Sequence, residues 1–227
     1  MQDNLAASSL DTLGAEEKTL SLIDLIFNGG AGSVLIMGIL FLLLGVALYI
    51  YFERLFAIKS AAKTDANFMN QIKDHISSGR IDAAKLLCAQ TDSPVARLTL
   101  KGVSRIGKPL EDINTAIENA GTLEVYKLEK NVSVLATVAG AAPMIGFLGT
   151  VIGMILAFHE MATSGGQAEM GALASGIYTA MTTTVGGLVV GIIAYMGYNH
   201  LVTITNKVVH SMEANAVDFL DLLNEPA

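Results

Sequence analysis

The chain of 227 residues is 52% hydrophobic and only 15% charged, with a mean hydropathy of +0.52. A soluble domain of this size carries about a quarter charged residues, so composition places the chain in a lipid bilayer. A net charge of −7 without a basic patch argues against a nucleic-acid partner, the lone Cys88 excludes an intrachain disulfide, and no Cys/His cluster has metal-ligand spacing.

Residues 1–30 open with a polar, acidic stretch that has neither the basic start nor the short apolar core of a secretory signal. Within them, 20–27 (LSLIDLIF) has near-helical apolar spacing and ends at Asn28-Gly29-Gly30. It reads either as an amphipathic helix at the membrane interface or as a leader into the next helix. Residues 31–53 form the first transmembrane helix, with SVLIMGILFLLLGVALYIYF as its apolar body. Tyr49, Tyr51 and Phe52 close it, and Glu53, Arg54, Lys59 and Lys63 follow at once. Trp is absent, so Tyr and Phe must supply any aromatic belt.

Residues 54–130 form a cytoplasmic helical region. Helices are expected over 68–76, over 81–89, from Ser93-Pro94 to about 106, and from 110 to 130, with Gly107-Lys108-Pro109 restarting the last. Only Gly121 interrupts that last helix, so one very long helix is expected to run from the cytoplasm into the second span, 131–160. A polar periplasmic loop, 161–171, precedes the third span, 172–204. A cytoplasmic C-terminal helix, 205–227, completes the chain. Of the 14 Lys and Arg, only Lys18 falls outside the segments assigned to the cytoplasm. The positive-inside bias then gives three spans with the N-terminus outside and the C-terminus inside. The predicted fold class is an all-α integral membrane protein whose long helices extend into a cytoplasmic helical domain.

The second span centres on residues 136–158, ATVAGAAPMIGFLGTVIGMILAF. At about 100° per residue, Ala139, Pro143, Gly146, Thr150, Gly153 and Ala157 share a strip roughly 80° wide, and Gly149 adds a further small residue. The third span repeats the pattern: Gly176, Ala180, Thr184, Gly187 and Gly191 fall within about 80° of one another. Thr183 lies beside that strip, Thr179 at its edge, and Thr182 points away. Small residues let helix backbones approach closely, so two such seams either dock together or line a shared polar path. For any single threonine the plainer alternative stays open, because a helical Thr often hydrogen-bonds the carbonyl four residues back. Four of them on two seams favour the lining.

No acidic or basic side chain lies inside any span, so the chain cannot supply a midplane carboxylate of the kind that marks ion and proton paths. Glu160 and Glu169 read as solvated charges at the outer mouth, His159 as interfacial, and Tyr178 as aromatic packing or a membrane hydrogen bond. The chain is not expected to be an enzyme. GFLGTVIG lacks the lysine of a phosphate-binding loop, and there is no Ser/His/Asp arrangement or HExxH motif. Cys88 reads as a small core residue.

The segment GFLGTVIGMILAF preceded by LATVAGAAPMI resembles the second-helix signature of the ExbB/TolQ/MotA family of ion-driven motor proteins. The resemblance continues through GRIDAAKLLCAQTDSPVARLTLKGV, LEKNVSVLATVAGAAP and SGIYTAMTTTVGGLVVGIIAYMGYN, covering about residues 53–201. The three-span topology is similar to ExbB and TolQ, ExbB above all, rather than to the four-span MotA. The resemblance implies a homo-pentameric ring in the inner membrane of a Gram-negative bacterium. A pair of single-span partners, ExbD or TolR, would sit inside the ring and carry the ion-binding Asp, and TonB or TolA would pass force to the outer membrane. It implies no cofactor, transported H⁺ with Na⁺ as the alternative, and Thr150 and Thr184 as pore-lining hydroxyls. Many relatives have Glu where this chain has Thr179, and Ala where it has Thr183. Rival readings are a TolQ-like role in envelope integrity, a gliding or secretion motor, a structural scaffold, and a channel acting alone.

Overall fold

A computed structural model describes residues 30–63, 67–163 and 170–224. Within them the chain forms seven helices and no strand: α1 (Gly30–Ala61), α2 (Phe68–Ser77), α3 (Ile81–Gln90), α4 (Pro94–Val103), α5 (Leu110–Glu129), α6 (Val132–Thr163) and α7 (Met170–Asn224). The amphipathic helix expected over 20–27 and the Ser164-Gly165-Gly166 and Glu169 part of the outer loop lie outside the described residues.

Three helices, α1, α6 and α7, are long and apolar enough to cross a membrane. They pack into one bundle, with α6 and α7 in the most extensive contact. Ile36, Met37 and Leu40 of α1, Val138 and Ala142 of α6, and Val190 and Ala194 of α7 form its buried core. The outward faces stay apolar: Met144, Phe147, Met181 and Met196 are exposed. A bilayer solvates such a surface where water would not. At the end of the bundle nearer α2–α5 the Tyr51 hydroxyl and His200 Nδ1 lie 2.8 Å apart and tie α1 to α7.

Beyond that end of the bundle, α2 to α5 pack with α1 and α7 around a second core that includes Ile58, Ile72, Cys88, Val103, Ile117 and Phe219. Local signals place these helices. Ser93 caps α4 by accepting from the Ala96 N–H at 3.1 Å, and Pro94 takes the first helical position, where no N–H is needed. Gly107, at φ 95°, turns the chain before α5, and Glu111 and Asp112 sit in the first turn of α5, beside the positive end of its dipole. Arg97 clamps α4 to α5 through Glu124 at 2.7 Å while also pairing with Asp92 at 2.6 Å. Phe219, near the end of α7, is 1% exposed, and its ring lies over Gly102 of α4.

One helix boundary differs from the sequence reading. The single helix expected to run from 110 into the second span is broken after Glu129, because Asn131 adopts a left-handed backbone with φ 62°. Asn tolerates that conformation better than other residues with a side chain. At the third span the extension holds: within 170–224 the span and the C-terminal helix that follows it are one uninterrupted 55-residue helix. The polarity changes near 205, but there is no Gly or Pro from 198 to 224. The solvent changes there and the helix does not.

A threonine cluster on the α6–α7 seam

The two seams face each other along antiparallel helices. A Cβ placed on Gly146 would lie 2.7 Å from the Thr183 carbonyl oxygen and 3.1 Å from Gly187 Cα. One on Gly187 would lie 2.5 Å from the Ala142 carbonyl oxygen. Toward α2–α5 Gly191 meets the Pro143 ring, and toward the opposite end Gly153 meets Ala180 and Gly176 meets Ala157. Gly149 faces the Thr183 side chain. Backbone-to-backbone approach of this kind needs residues without side chains at the crossing.

At the crossing the hydroxyls converge. Thr150 on α6 donates to the Ala180 carbonyl of α7 at 3.1 Å, and Thr184 on α7 donates to the Gly146 carbonyl of α6 at 3.1 Å. The two hydroxyls also touch each other. Gly146 and Ala180 are the residues four positions before Thr150 and Thr184. Each threonine therefore uses the carbonyl that its opposite number would take in an isolated helix. Thr137, Thr182 and Thr203 behave in the ordinary way and bond their own helix four residues back. Thr183, 1% exposed, joins the cluster with bonds to the Ala180 carbonyl at 2.7 Å and the Gly146 carbonyl at 3.2 Å. Three hydroxyl protons thus share two carbonyls and one hydroxyl–hydroxyl contact, so not every bond can be made at once. Small rotations of the side chains exchange one bond for another.

The geometry sorts the candidates. Thr150, Thr183 and Thr184 come together, with Gly146 and Gly149 packed beside them. Thr179 is half-buried outside the cluster. Tyr178 is exposed on the outer side of α7. Reasoning from the helical wheel put Thr183 beside the seam, whereas it is the most buried of the set. The signal for the exchange was present in the repeated four-residue step from a small residue to threonine, Gly146–Thr150 and Ala180–Thr184. Among the described residues no group of three or more His, Cys, Asp or Glu could hold a metal.

These features define a multi-pass helical membrane protein with a hydroxyl-lined, carboxylate-free contact between two spans. The family model for the MotA/TolQ/ExbB proton channel family matches residues 90–214, and the chain belongs to that family. It is similar to the putative biopolymer transport protein ExbB-like 3 of Synechocystis, 30% identical over 165 residues, 72% of this chain and 77% of the relative. It is similar to the putative biopolymer transport protein ExbB homolog of Methanothermobacter thermautotrophicus, 29% identical over 123 residues, 54% of this chain and 43% of the relative. The Tol-Pal system protein TolQ of Haemophilus influenzae is 40% identical over 107 residues, 47% of this chain and 44% of the relative. The chain thus spans less than half the length of the last two.

Proposed function

We propose that the chain is the ring-forming subunit of an inner-membrane motor, driven by the proton motive force, that energises transport across the outer membrane. In this reading five copies surround a pair of ExbD-like single-span partners, whose acid holds the ion, and a TonB-like protein carries the force outward. The observation that carries the reading is the reciprocal threonine–carbonyl crossing, which puts exchangeable hydroxyls in a span contact lacking any charge of its own. Such a lining assists an ion only if another chain holds it. Protons are the favoured ion; an oxygen-rich lining also suits Na⁺, a hard cation, and removing Na⁺ from a transport assay separates the two.

The test is substitution of Thr150 and Thr184, singly, to Val with the partner co-expressed. An interhelical hydrogen bond in a membrane contributes only about 0.6 kcal/mol on average, so both variants should assemble. Transport should fall sharply in both, and full transport with normal assembly would overturn the ion-path role. A second reading, a TolQ-like role in envelope integrity, is favoured by the similarity to a TolQ over 107 residues. Complementation of strains lacking one or the other system discriminates. Reconstitution without a partner addresses the remaining readings, since a channel acting alone would conduct and a motor subunit would not.

A further inference from the structure

Thr183 is 1% exposed, whereas Thr150 and Thr184 are half-buried. Its side chain lies against Gly149, where an added Cβ would strike it and would also meet Ile36 of α1 at 3.2 Å. A hydroxyl so enclosed cannot touch an ion passing the seam. It acts only through its neighbours.

Its two acceptors are the carbonyls that the other two threonines need. Thr183 reaches the Ala180 carbonyl at 2.7 Å and the Gly146 carbonyl at 3.2 Å, while Thr150 reaches Ala180 and Thr184 reaches Gly146, each at 3.1 Å. Inside α6 and α7 these carbonyls also accept the N–H four residues on, Gly146 from Thr150 and Ala180 from Thr184. A carbonyl oxygen has two lone pairs, so each has one place left, and three hydroxyl protons compete for the two places. The third proton goes to the Thr150–Thr184 contact. Thr183 has a single proton, and its choice fixes the rest. When it donates to Ala180, Thr150 donates to Thr184 and Thr184 to Gly146. When it donates to Gly146, Thr184 donates to Thr150 and Thr150 to Ala180. The hydroxyl–hydroxyl bond reverses between the two arrangements.

We propose that Thr183 is a positioning residue that reverses the Thr150–Thr184 hydrogen bond and so sets which of the two oxygens is offered to the transported cation. In the first arrangement Thr150 accepts from no hydroxyl and keeps its oxygen free; in the second Thr184 does. The two threonines stand on different helices, so each reversal moves the free oxygen across the seam without moving either backbone. Valine at 183 would remove the competitor. Thr150 then holds Ala180 and Thr184 holds Gly146 at the same time, and no polar group of the cluster loses its partner. With both protons on carbonyls the hydroxyl–hydroxyl bond is gone, and the alternation stops until an interhelical bond breaks. This role rests on the ion path proposed above.

Transport with the single-span partner co-expressed, and melting of the purified complex, are measured for the parent chain, Thr183→Val, Thr183→Ser, Thr150→Val and Thr184→Val. Thr183→Val should lower transport about threefold, the factor that an average interhelical hydrogen bond in a membrane is worth. Its melting temperature should stay at or above the parent's, because losing a hydroxyl costs little where its acceptors keep partners. Thr183→Ser returns the hydroxyl and should restore parental transport. A lower melting temperature in Thr183→Val, or its failure to assemble, would make the hydroxyl a structural tie and overturns the switch. An equal transport loss in Thr183→Ser also overturns it, since the methyl and not the hydroxyl would then matter. Parental transport in Thr183→Val, with losses in Thr150→Val and Thr184→Val, overturns the switch and leaves the ion path standing. Parental transport in Thr150→Val and Thr184→Val removes the ion path, and the switch with it, whatever Thr183→Val does.

Discussion

Glu124 shows how one buried carboxylate is held ionised between two helices. It is 5% exposed, and burial alone would raise its pKa. Hydrogen bonds from Arg97 and Lys127, each at 2.7 Å, outweigh that and hold it below the ordinary glutamate range. A carboxyl whose folded pKa is depressed adds stability above the unfolded value, and that stability is lost as pH falls through the folded one. Melting of the detergent-solubilised protein should therefore weaken on acidification below the usual glutamate range. Glu124→Gln should flatten that dependence and cost roughly 1–2 kcal/mol near neutral pH, discounted because Arg97 and Lys127 remain partly exposed. An unchanged pH profile in the variant would refute the clamp. Cys88 gives a second residue-level test, since burial pushes its thiol up to about 11. The native protein should label with iodoacetamide far more slowly than the unfolded chain at pH 7, because the thiolate is the reacting form. Equal rates would place the thiol at the surface instead.

For the elements, the α6–α7 crossing makes a prediction that separates glycine as packing from glycine as mere flexibility. Gly187→Ala would force a Cβ to within 2.5 Å of a backbone carbonyl that cannot swing away, whereas Gly140, on the exposed side of α6, has nothing within 4 Å. Gly187→Ala should destabilise by about 1–3 kcal/mol, as overpacking does. Gly140→Ala should be neutral or slightly stabilising, since Gly costs about 1 kcal/mol against Ala inside a helix. Paired melting curves check this, and equal losses would mean that the seam does not set the helix spacing. The seam was legible because small residues recur at helical spacing on both spans. The break at Asn131 was not: no Gly or Pro marks it, and an asparagine gives only a weak hint of a left-handed turn. The continuity of α7 past 205 was legible, because no Gly or Pro lies from 198 to 224. Which carbonyl each threonine uses depends on how the helices are offset along each other, and that offset is a tertiary fact.

At the scale of the whole molecule, α7 is the longest of the described helices that reach both layers. Its 55 residues span about 80 Å at 1.5 Å per residue, far more than the ~30 Å of hydrocarbon. One continuous helix therefore runs from the threonine cluster to the core shared with α2–α5. Its far end is fastened by Phe219, packed over Gly102 and beside Ile117 in a core separate from that of the spans. Phe219→Ala should cost about 3–5 kcal/mol, and that loss should fall on α2–α5. In inverted inner-membrane vesicles, where the proposed orientation exposes these helices, limited proteolysis should cut the variant within α2–α5 much faster than the parent chain. The α6–α7 contact should survive, so the loss caused by Gly187→Ala should be the same in the Phe219→Ala background as in the parent chain, as for distant independent sites. Vesicles of the opposite orientation should protect α2–α5 in both proteins. Cleavage there would reverse the topology, and a clear departure from additivity in the double variant would mean that the two cores stand or fall together.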